Sequence, residues 1–328
     1  MKKRYIALAV LCVASAALYL NNASWLASPQ RDAPYFIAHR GVHQNFDPAG
    51  VGRDDCTAVL INPPDHAFIE NTLPSMAAAF EAGARMIEID IHPTIDGEFA
   101  VFHDWTLDCR TNGEGVVRQQ SMAMLRTLDA GYGYTSDNGE TWPLRGTAIG
   151  AIPTLGEVLD AFPGRDFLIN IKSNDASEAD RLVAYLEAAA IDPNRLIIFS
   201  ARRPDARLAE LRPELRRMSR ARTRECGLAY MAWGWSGHVP EVCHDTVLVL
   251  PANYARLAWG WPTRLEARMA SVGSEVWVMG DLDWATMNST GIDTQAQRDA
   301  LSERYRGGIV TNRIERVGPN ASAVPLAD

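Results

Sequence analysis

Four short stretches gather the residue types that carry acid-base and metal chemistry: Ile37-Ala38-His39-Arg40-Gly41, Glu70-Asn71-Thr72, Glu88-Ile89-Asp90 and His103-Asp104. Each follows a short apolar run. Charged groups at the edge of an apolar core are costly to keep unless they serve one another or a ligand. Hard carboxylate oxygens at i and i+2 suit Mg2+ or Ca2+, an imidazole beside them can move protons, and an arginine can neutralise an anion. The pattern points to a site for a divalent cation and an anionic substrate.

The elements that would position these groups follow from periodicity. Strand-like runs at 86–94 and 99–103 flank Asp96-Gly97, a strong signal for a tight hairpin. A turn centred on that pair sets Ile95 opposite Glu98 and Asp90 opposite His103, with Glu88 on the same face as Asp90. Beyond the hairpin, apolar strands at 168–171, 196–200, 246–250, 275–279 and 308–311 alternate with helical stretches at 178–189 and 205–211, as in an α/β barrel.

With these motifs in hand, the chain resembles the glycerophosphodiester phosphodiesterase family, an irregular TIM (β/α)8 barrel. The likeness runs in family order from His39 through Glu-Asn-Thr, Glu-x-Asp and His-Asp to Asp108 and the Thr111-Asn112-Gly113 loop; Pro153-Thr154-Leu155-Gly156-Glu157 matches the start of a helix before the lysine strand. The resemblance implies that His39 and His103 form the acid/base pair and that Arg40 binds phosphate. It gives Glu70, Glu88 and Asp90 to one divalent cation, Ca2+ or Mg2+, or to its surroundings. Lys172, after Phe167-Leu168-Ile169-Asn170-Ile171, matches the family lysine that offsets phosphate charge. Asn170 stands where the family has an acidic metal ligand; an amide oxygen can ligate the same ions with one negative charge fewer. The segment 42–69 is far longer than its family counterpart and is expected as an insert over the active-site mouth. Trp277 is the tryptophan expected to face the pocket, among a second-half cluster of Trp233, Trp235, Trp259, Trp261, Trp277 and Trp284 whose individual members otherwise read as packing. His43, His66, His92, His238 and His244 read as surface or supporting residues.

Composition fits a folded enzyme behind a targeting segment. The 328 residues are 47% hydrophobic and 22% charged, enough for one barrel domain at 30–328. A net charge of -8, with no basic stripe interleaved with aromatics, argues against nucleic acid as a partner. Met1-Lys2-Lys3-Arg4 precedes an apolar run at 5–20, so that 1–29 reads as a signal anchor or signal peptide. Cleavage at Ala14-Ser15-Ala16 would leave a minimal apolar core, and a site at 23–28 is interrupted by Trp25 and Leu26, which favours an uncleaved anchor with the domain exported to the periplasmic side of the inner membrane. Cys12 lies in the apolar run, leaving Cys56, Cys109, Cys226 and Cys243 for an oxidising compartment. Three pairings are open; Cys56 with Cys109 and Cys226 with Cys243 is the expected one, since the insert and the loop after His103 are both expected at the barrel mouth.

The expected activity is metal-assisted cleavage of a glycerophosphodiester into sn-glycerol 3-phosphate and an alcohol, by water or by way of a cyclic phosphate, with the roles of the two histidines interchangeable. A lysophospholipase D-like enzyme acting on lysolipids at the membrane surface is the alternative. A binding protein that kept the barrel but lost turnover is the alternative of another class, motivated by Asn170.

Overall fold

The computed structural model describes residues 2–48, 50–52, 55–285 and 288–326. They form two compact units, the first from Met1–Tyr35, Arg220–Ile292 and Ala296–Val310, the second from Phe36–Ser219, Asp293–Gln295 and Thr311–Asp328. Along the chain, helix α1 (Lys2–Asn22) belongs to the first unit and has no buried residue.

The second unit carries the sequence motifs. Its strands are β1 (Tyr35–His39), β2 (Ala84–Pro93), β3 (Phe99–Val101), β4 (Asp166–Ile171), β5 (Leu196–Phe199) and β6 (Arg216–Met218). Helices α2 (Leu73–Glu81), α3 (Met122–Leu125), α4 (Leu155–Ala161), α5 (Ser177–Ala188) and α6 (Arg202–Leu211) lie between and after them. The parallel strands run in the order β6-β5-β4-β2-β1, and β3 pairs antiparallel with β2. Thr72 caps α2 by accepting from the Ser75 N–H, and Thr154 with Glu157 forms a full capping box on α4.

The first unit resumes with α7 (Arg220–Trp233), β7 (Val247–Pro251), α8 (Ala252–Ala255), α9 (Thr263–Ala270) and β8 (Glu275–Met279). The short pair β9 (Leu282–Asp283) and β10 (Asn288–Ser289), helix α10 (Gln295–Asp299), β11 (Gly308–Thr311) and α11 (Ile314–Val317) complete the chain, α11 falling in the second unit. Strand β8 pairs parallel with both β7 and β11. Five parallel strands in one unit and three in the other, alternating with helices, are the elements of a (β/α)8 barrel.

Strands β8 and β11 match their expected bounds; β6, only three residues long and carrying two arginines, gives no strand signal in the sequence. The hairpin corrects the expected register by one residue. Ile91 pairs with Val101, His92 with Ala100 and Pro93 with Phe99, while the Thr94 N–H donates to the Glu98 carbonyl. The connection is therefore a three-residue loop, Ile95-Asp96-Gly97, with Gly97 at a φ of 88°, the left-handed position such loops require. Asp90 consequently faces Phe102, whose N–H donates to the Asp90 carbonyl, and His103 lies beyond the end of β3.

The insert at 42–69 is not a loose flap. Ala58, Ile61 and Ile69 share a hydrophobic core with Phe102, Leu128 and Tyr134, and the Cys56–Cys109 disulfide fastens it; Ala49, Arg53 and Asp54 lie outside the described residues. The second disulfide, Cys226–Cys243, lies within the first unit, so both expected pairings are present.

Glu266 on α9 is a buried carboxyl with one oxygen accepting from the Arg306 N–H at 2.8 Å and the other without a hydrogen-bond partner. Burial pushes its pKa up to about 7. Folding thus favours its protonated form: the contribution to stability is full below the usual glutamate range and is lost as pH rises through about 7. Glu266→Gln should unfold at the same urea concentration as the parent near about pH 5 and be more stable near about pH 8 by on the order of 1–2 kcal/mol. Equal differences at both pH values would show that this carboxyl ionises normally in the folded state.

Candidate active site

Strand register builds the site. On β2, Glu88 and Asp90 stand two residues apart and share a face. His39, the last residue of β1, is the register partner of Glu88, and Asn170 on β4 is the partner of Asp90, with Lys172 just past the strand end. All of these lie at the carboxyl ends of parallel strands, where α/β barrels carry their chemistry.

Arg40 follows β1 at a φ of 60°, a conformation unusual for a residue with a Cβ. Its N–H donates to the Glu88 carbonyl, and its carbonyl accepts from the Asn71 N–H. Gly41 continues the turn at a φ of 83°, where a Cβ would stand 2.3 Å from Ser75 Oγ. The turn aims the Arg40 guanidinium between two carboxylates, with Nη1 donating to Glu70 Oε1 at 3.1 Å and Nε 3.3 Å from Asp90 Oδ2. Lys172 Nζ lies 3.1 Å from Asp90 Oδ1. Asn71 brackets Asp90, donating from Nδ2 to Oδ2 and accepting from the Asp90 N–H.

Asn170 presents its amide nitrogen to the carboxylates, donating to Asp90 Oδ1 at 2.9 Å and to Glu88 Oε1 at 3.1 Å. Ligation through its oxygen therefore requires the amide to turn over. Glu88 Oε2 is buried without a hydrogen-bond partner, 3.8 Å from His39 Nε2. Burial, reinforced by the Asp90 charge, pushes Glu88 up to about 8. Asp90 goes the other way: burial opposes its ionisation, but Lys172, His103 and Arg40 outweigh that and hold it far below the usual carboxylate range. Glu70 is likewise buried, and Arg110 and Arg40 keep it well below its ordinary value.

Both histidines are oriented through Nδ1. Asn312 Nδ2 donates to Asp293, so Asn312 Oδ1 accepts from His39 Nδ1–H at 2.7 Å. His103 Nδ1–H donates to Asp104 Oδ1 at 2.6 Å. In each ring the anchoring bond occupies Nδ1 and Nε2 takes no part in it. Burial, followed by the Arg40 charge, lowers both imidazoles below their ordinary value, and for His39 the shift is large.

Two contributors escaped the sequence reading. Asn312 stands directly after the expected strand 308–311, and that strand-end position is the signal that could have found it. Arg110 lies between Asp108 and the Thr111-Asn112-Gly113 loop, and that place inside the motif is the signal that could have found it. It is buried, donating from Nε to Asp104 Oδ2 at 2.8 Å, from Nη1 to Glu70 Oε2 at 3.0 Å and Tyr134 Oη at 2.8 Å, and from Nη2 to Thr57 Oγ1 at 2.7 Å. It thus ties the carboxylate that Arg40 meets to the one that orients His103.

The Gly115 N–H donates to Asp108, and Asn112 accepts from the Asp129 N–H, both steadying the loop after His103. Trp277 lies on β8 in the first unit, 1% exposed, with its indole N–H shared between Tyr35 Oη and Glu275. Of the histidines read as surface or supporting residues, His43 and His92 are buried, and His43 packs edge-on to His39 at 5.9 Å.

Chemically, Glu70, Glu88 and Asp90 offer hard oxygens that fit a divalent cation, and the buried, unpartnered Glu88 Oε2 is the observation in favour. As the side chains stand, Arg40 lies between Glu70 and Asp90, and no metal-holding group of three or more His, Cys, Asp or Glu side chains occurs among the described residues.

Comparison with known proteins agrees with this geometry. Residues 39–210, just over half of the chain, match the glycerophosphoryl diester phosphodiesterase family. This chain belongs to that family. A glycerophosphodiester phosphodiesterase of Caldanaerobacter subterraneus is 41% identical over 103 residues, 31% of this chain and 39% of that protein. One of Bacillus subtilis is 36% identical over 124 residues, 36% of this chain and 41% of that protein. The matched stretch thus spans about two fifths of these relatives' length.

Among solved structures, the glycerophosphoryl diester phosphodiesterase domain of an uncharacterised Mycobacterium tuberculosis protein superposes with a TM-score of 0.60 at 19% identity, over 89% of this chain and 98% of that one. An Oleispira antarctica phosphodiesterase in complex with the product sn-glycerol-3-phosphate gives a TM-score of 0.55 at 19% identity, over 89% and 97%. These likenesses show the fold of this family member, the α/β barrel of the glycerophosphodiester phosphodiesterases.

Arg110→Met should lower stability at pH 7 by about 3–5 kcal/mol, since it leaves the Glu70 and Asp104 charges short of a buried partner. Urea unfolding measures this. A loss below about 1 kcal/mol would mean that water already screens the pair.

Proposed function

We propose that this protein hydrolyses a glycerophosphodiester to sn-glycerol 3-phosphate and an alcohol. The observation that carries the reading is the gathering of His39 and His103, each anchored through Nδ1, with Arg40 and the Glu70, Glu88 and Asp90 carboxylates in one compact unit. Family membership supports it, and the product named for the Oleispira antarctica structure supplies the chemical class of the substrate.

In this mechanism Arg40 and Lys172 offset the negative charge of the phosphate, which otherwise repels a nucleophile. One imidazole Nε2 removes the proton from the attacking oxygen of water or of the neighbouring glycerol hydroxyl. A new P–O bond forms, the P–O bond to the alcohol breaks, and the other imidazole delivers a proton to the departing oxygen. If the hydroxyl attacks, a cyclic phosphate forms first and water then opens it. Asp104 and Asn312 keep the two rings aimed throughout. Glu70, Glu88 and Asp90, with Asn170 once its amide has turned over, would hold a divalent cation, which would supply Lewis-acid stabilisation of charge on the phosphoryl oxygens.

The place of action in this proposal is the exported face of a membrane. Helix α1 is 21 residues long with mean hydropathy 1.6 in its most apolar window and is fully outside the packed core. Two disulfides suit an oxidising compartment. The same exposed helix favours a second reading of the substrate, a lysolipid presented at the bilayer.

His39→Ala and His103→Ala should each cut turnover by about two to four orders of magnitude. With a nitrophenyl leaving group, which needs little protonation, the variant lacking the general acid should recover and the other should not; equal losses on both substrates would exclude either histidine as the acid.

Excess chelator should abolish cleavage of glycerophosphocholine, and Ca2+ or Mg2+ should restore it. Asn170→Glu should tighten cation binding by adding a carboxylate to Glu70, Glu88 and Asp90, measured by calorimetry without substrate. Full activity in chelator would overturn the role of the cation, and an unchanged affinity would remove Asn170 from its ligands. Running glycerophosphocholine beside lysophosphatidylcholine decides between the two substrate classes.

A further inference from the structure

The first unit carries an unassigned surface around the C-terminal end of α1. The helix does not lead into a free linker. Asn21 and Asn22 both donate from Nδ2 to the Trp235 carbonyl, at 3.0 and 2.8 Å. Arg268 closes the joint, donating from Nη1 to Asn22 Oδ1 at 3.0 Å and to the Gly234 carbonyl at 2.9 Å, and from Nη2 to the Asn21 carbonyl at 2.8 Å. The Thr263 N–H donates to Ser24 Oγ at 3.0 Å, and Ala23 is buried. Asn21 and Asn22 at the end of α1, and Ser24 just beyond it, are therefore fixed to α9 and to the turn that follows α7.

Around this joint the surface is unusually apolar. Trp25 is 57% exposed, Trp233 59% and Trp235 46%, and Leu26, Leu228 and Met231 are also exposed. Guanidinium groups stand among them: Arg264 reaches the Leu20 carbonyl at 3.5 Å and Arg304 the Ala27 carbonyl at 3.2 Å. Cations there complement the negative end of the helix dipole. They are also the groups that pair with phosphate.

From this arrangement we infer that Trp25, Leu26, Leu228, Met231, Trp233 and Trp235, with Arg264 and Arg304, form a collar that docks the domain into the headgroup layer of the bilayer that α1 enters. The inference rests on the membrane reading of α1. A 21-residue helix is about 31 Å long, which matches a hydrocarbon core of about 30 Å, so its C-terminal end falls at the headgroup boundary. Tryptophan rings concentrate at that boundary, since the ring is apolar and the indole N–H needs a polar partner. The collar is continuous with the helix end through the Trp235 carbonyl, and its arginines complement lipid phosphates. The joint makes the anchor a rigid one: the same hydrogen bonds that seat the helix place the tryptophans at its exit.

The test uses the full chain in vesicles of mixed anionic and zwitterionic phospholipids whose acyl chains are brominated near the headgroup, with flotation measured in parallel. Bromine quenches only tryptophans in contact with the lipid. The intact protein should float and be quenched, and the triple variant Trp25→Phe, Trp233→Phe, Trp235→Phe should float equally while losing most of the quenched fraction. Trp277 is buried and supplies an unquenched internal reference. Removing the anionic lipid should weaken the quenching of the intact protein. Flotation with the same quenching in parent and triple variant would overturn the collar while leaving the anchor standing. Failure to float would overturn the membrane reading and the collar with it, and emission that shifts with protein concentration but not with lipid would assign the surface to a second copy of the chain.

Discussion

The structure is organised by the need to keep buried carboxylates in balance with buried cations. Glu70, Glu88 and Asp90 are all buried, and Asp104 is largely so; Arg40, Arg110 and Lys172 answer them. A carboxylate removed from water without a partner costs several kcal/mol by order of magnitude, so the position of every cation is dictated by the acid it serves. The balance is uneven. Asp90 and Glu70 are held ionised, while Glu88 has only the Asn170 amide and an oxygen with no hydrogen-bond partner. That unevenness is why Glu88 is pushed up toward its protonated form while its two neighbours are held down.

The scaffold is arranged to maintain this balance. Parallel register brings His39 beside Glu88 and Asn170 beside Asp90, and a strained turn at Arg40, made possible by Gly41, aims the guanidinium into the gap. The long segment between Gly41 and Glu70 contributes more than its length suggests. Its Thr57 accepts from Arg110, and Cys56, one residue away, is bonded to Cys109, the neighbour of Arg110. A surface excursion thus becomes a brace behind His103, built from a disulfide, one hydrogen bond and a small hydrophobic core.

The other unit contributes different physics. Its interior satisfies Trp277 with Tyr35 and Glu275, while several other aromatic side chains stay at the surface. Exposed tryptophan beside an exposed apolar helix is a costly way to meet water and a favourable way to meet lipid.

What the sequence determined by itself was which residues gather: the motifs at His39-Arg40, Glu70, Glu88-Ile89-Asp90, His103 and Lys172 are local, and each is tied to a strand end by apolar periodicity. The cysteine pairing was also within reach, since only four cysteines lie outside the apolar run. Tertiary structure decided the rest. The hairpin register depended on whether Asp96-Gly97 closes a two- or three-residue loop, a choice made by Thr94 bonding Glu98 and by Gly97 adopting a left-handed φ; a shift of one residue exchanges the faces of a strand. Tyr134 reaches the site with nothing in its local pattern to mark it, and Asn312 and Arg110 are marked only by their places, directly after the strand 308–311 and directly before the Thr111-Asn112-Gly113 loop. Whether Asn170 offers its oxygen or its nitrogen is set by the two carboxylates facing it, because an amide turns toward whichever charge surrounds it.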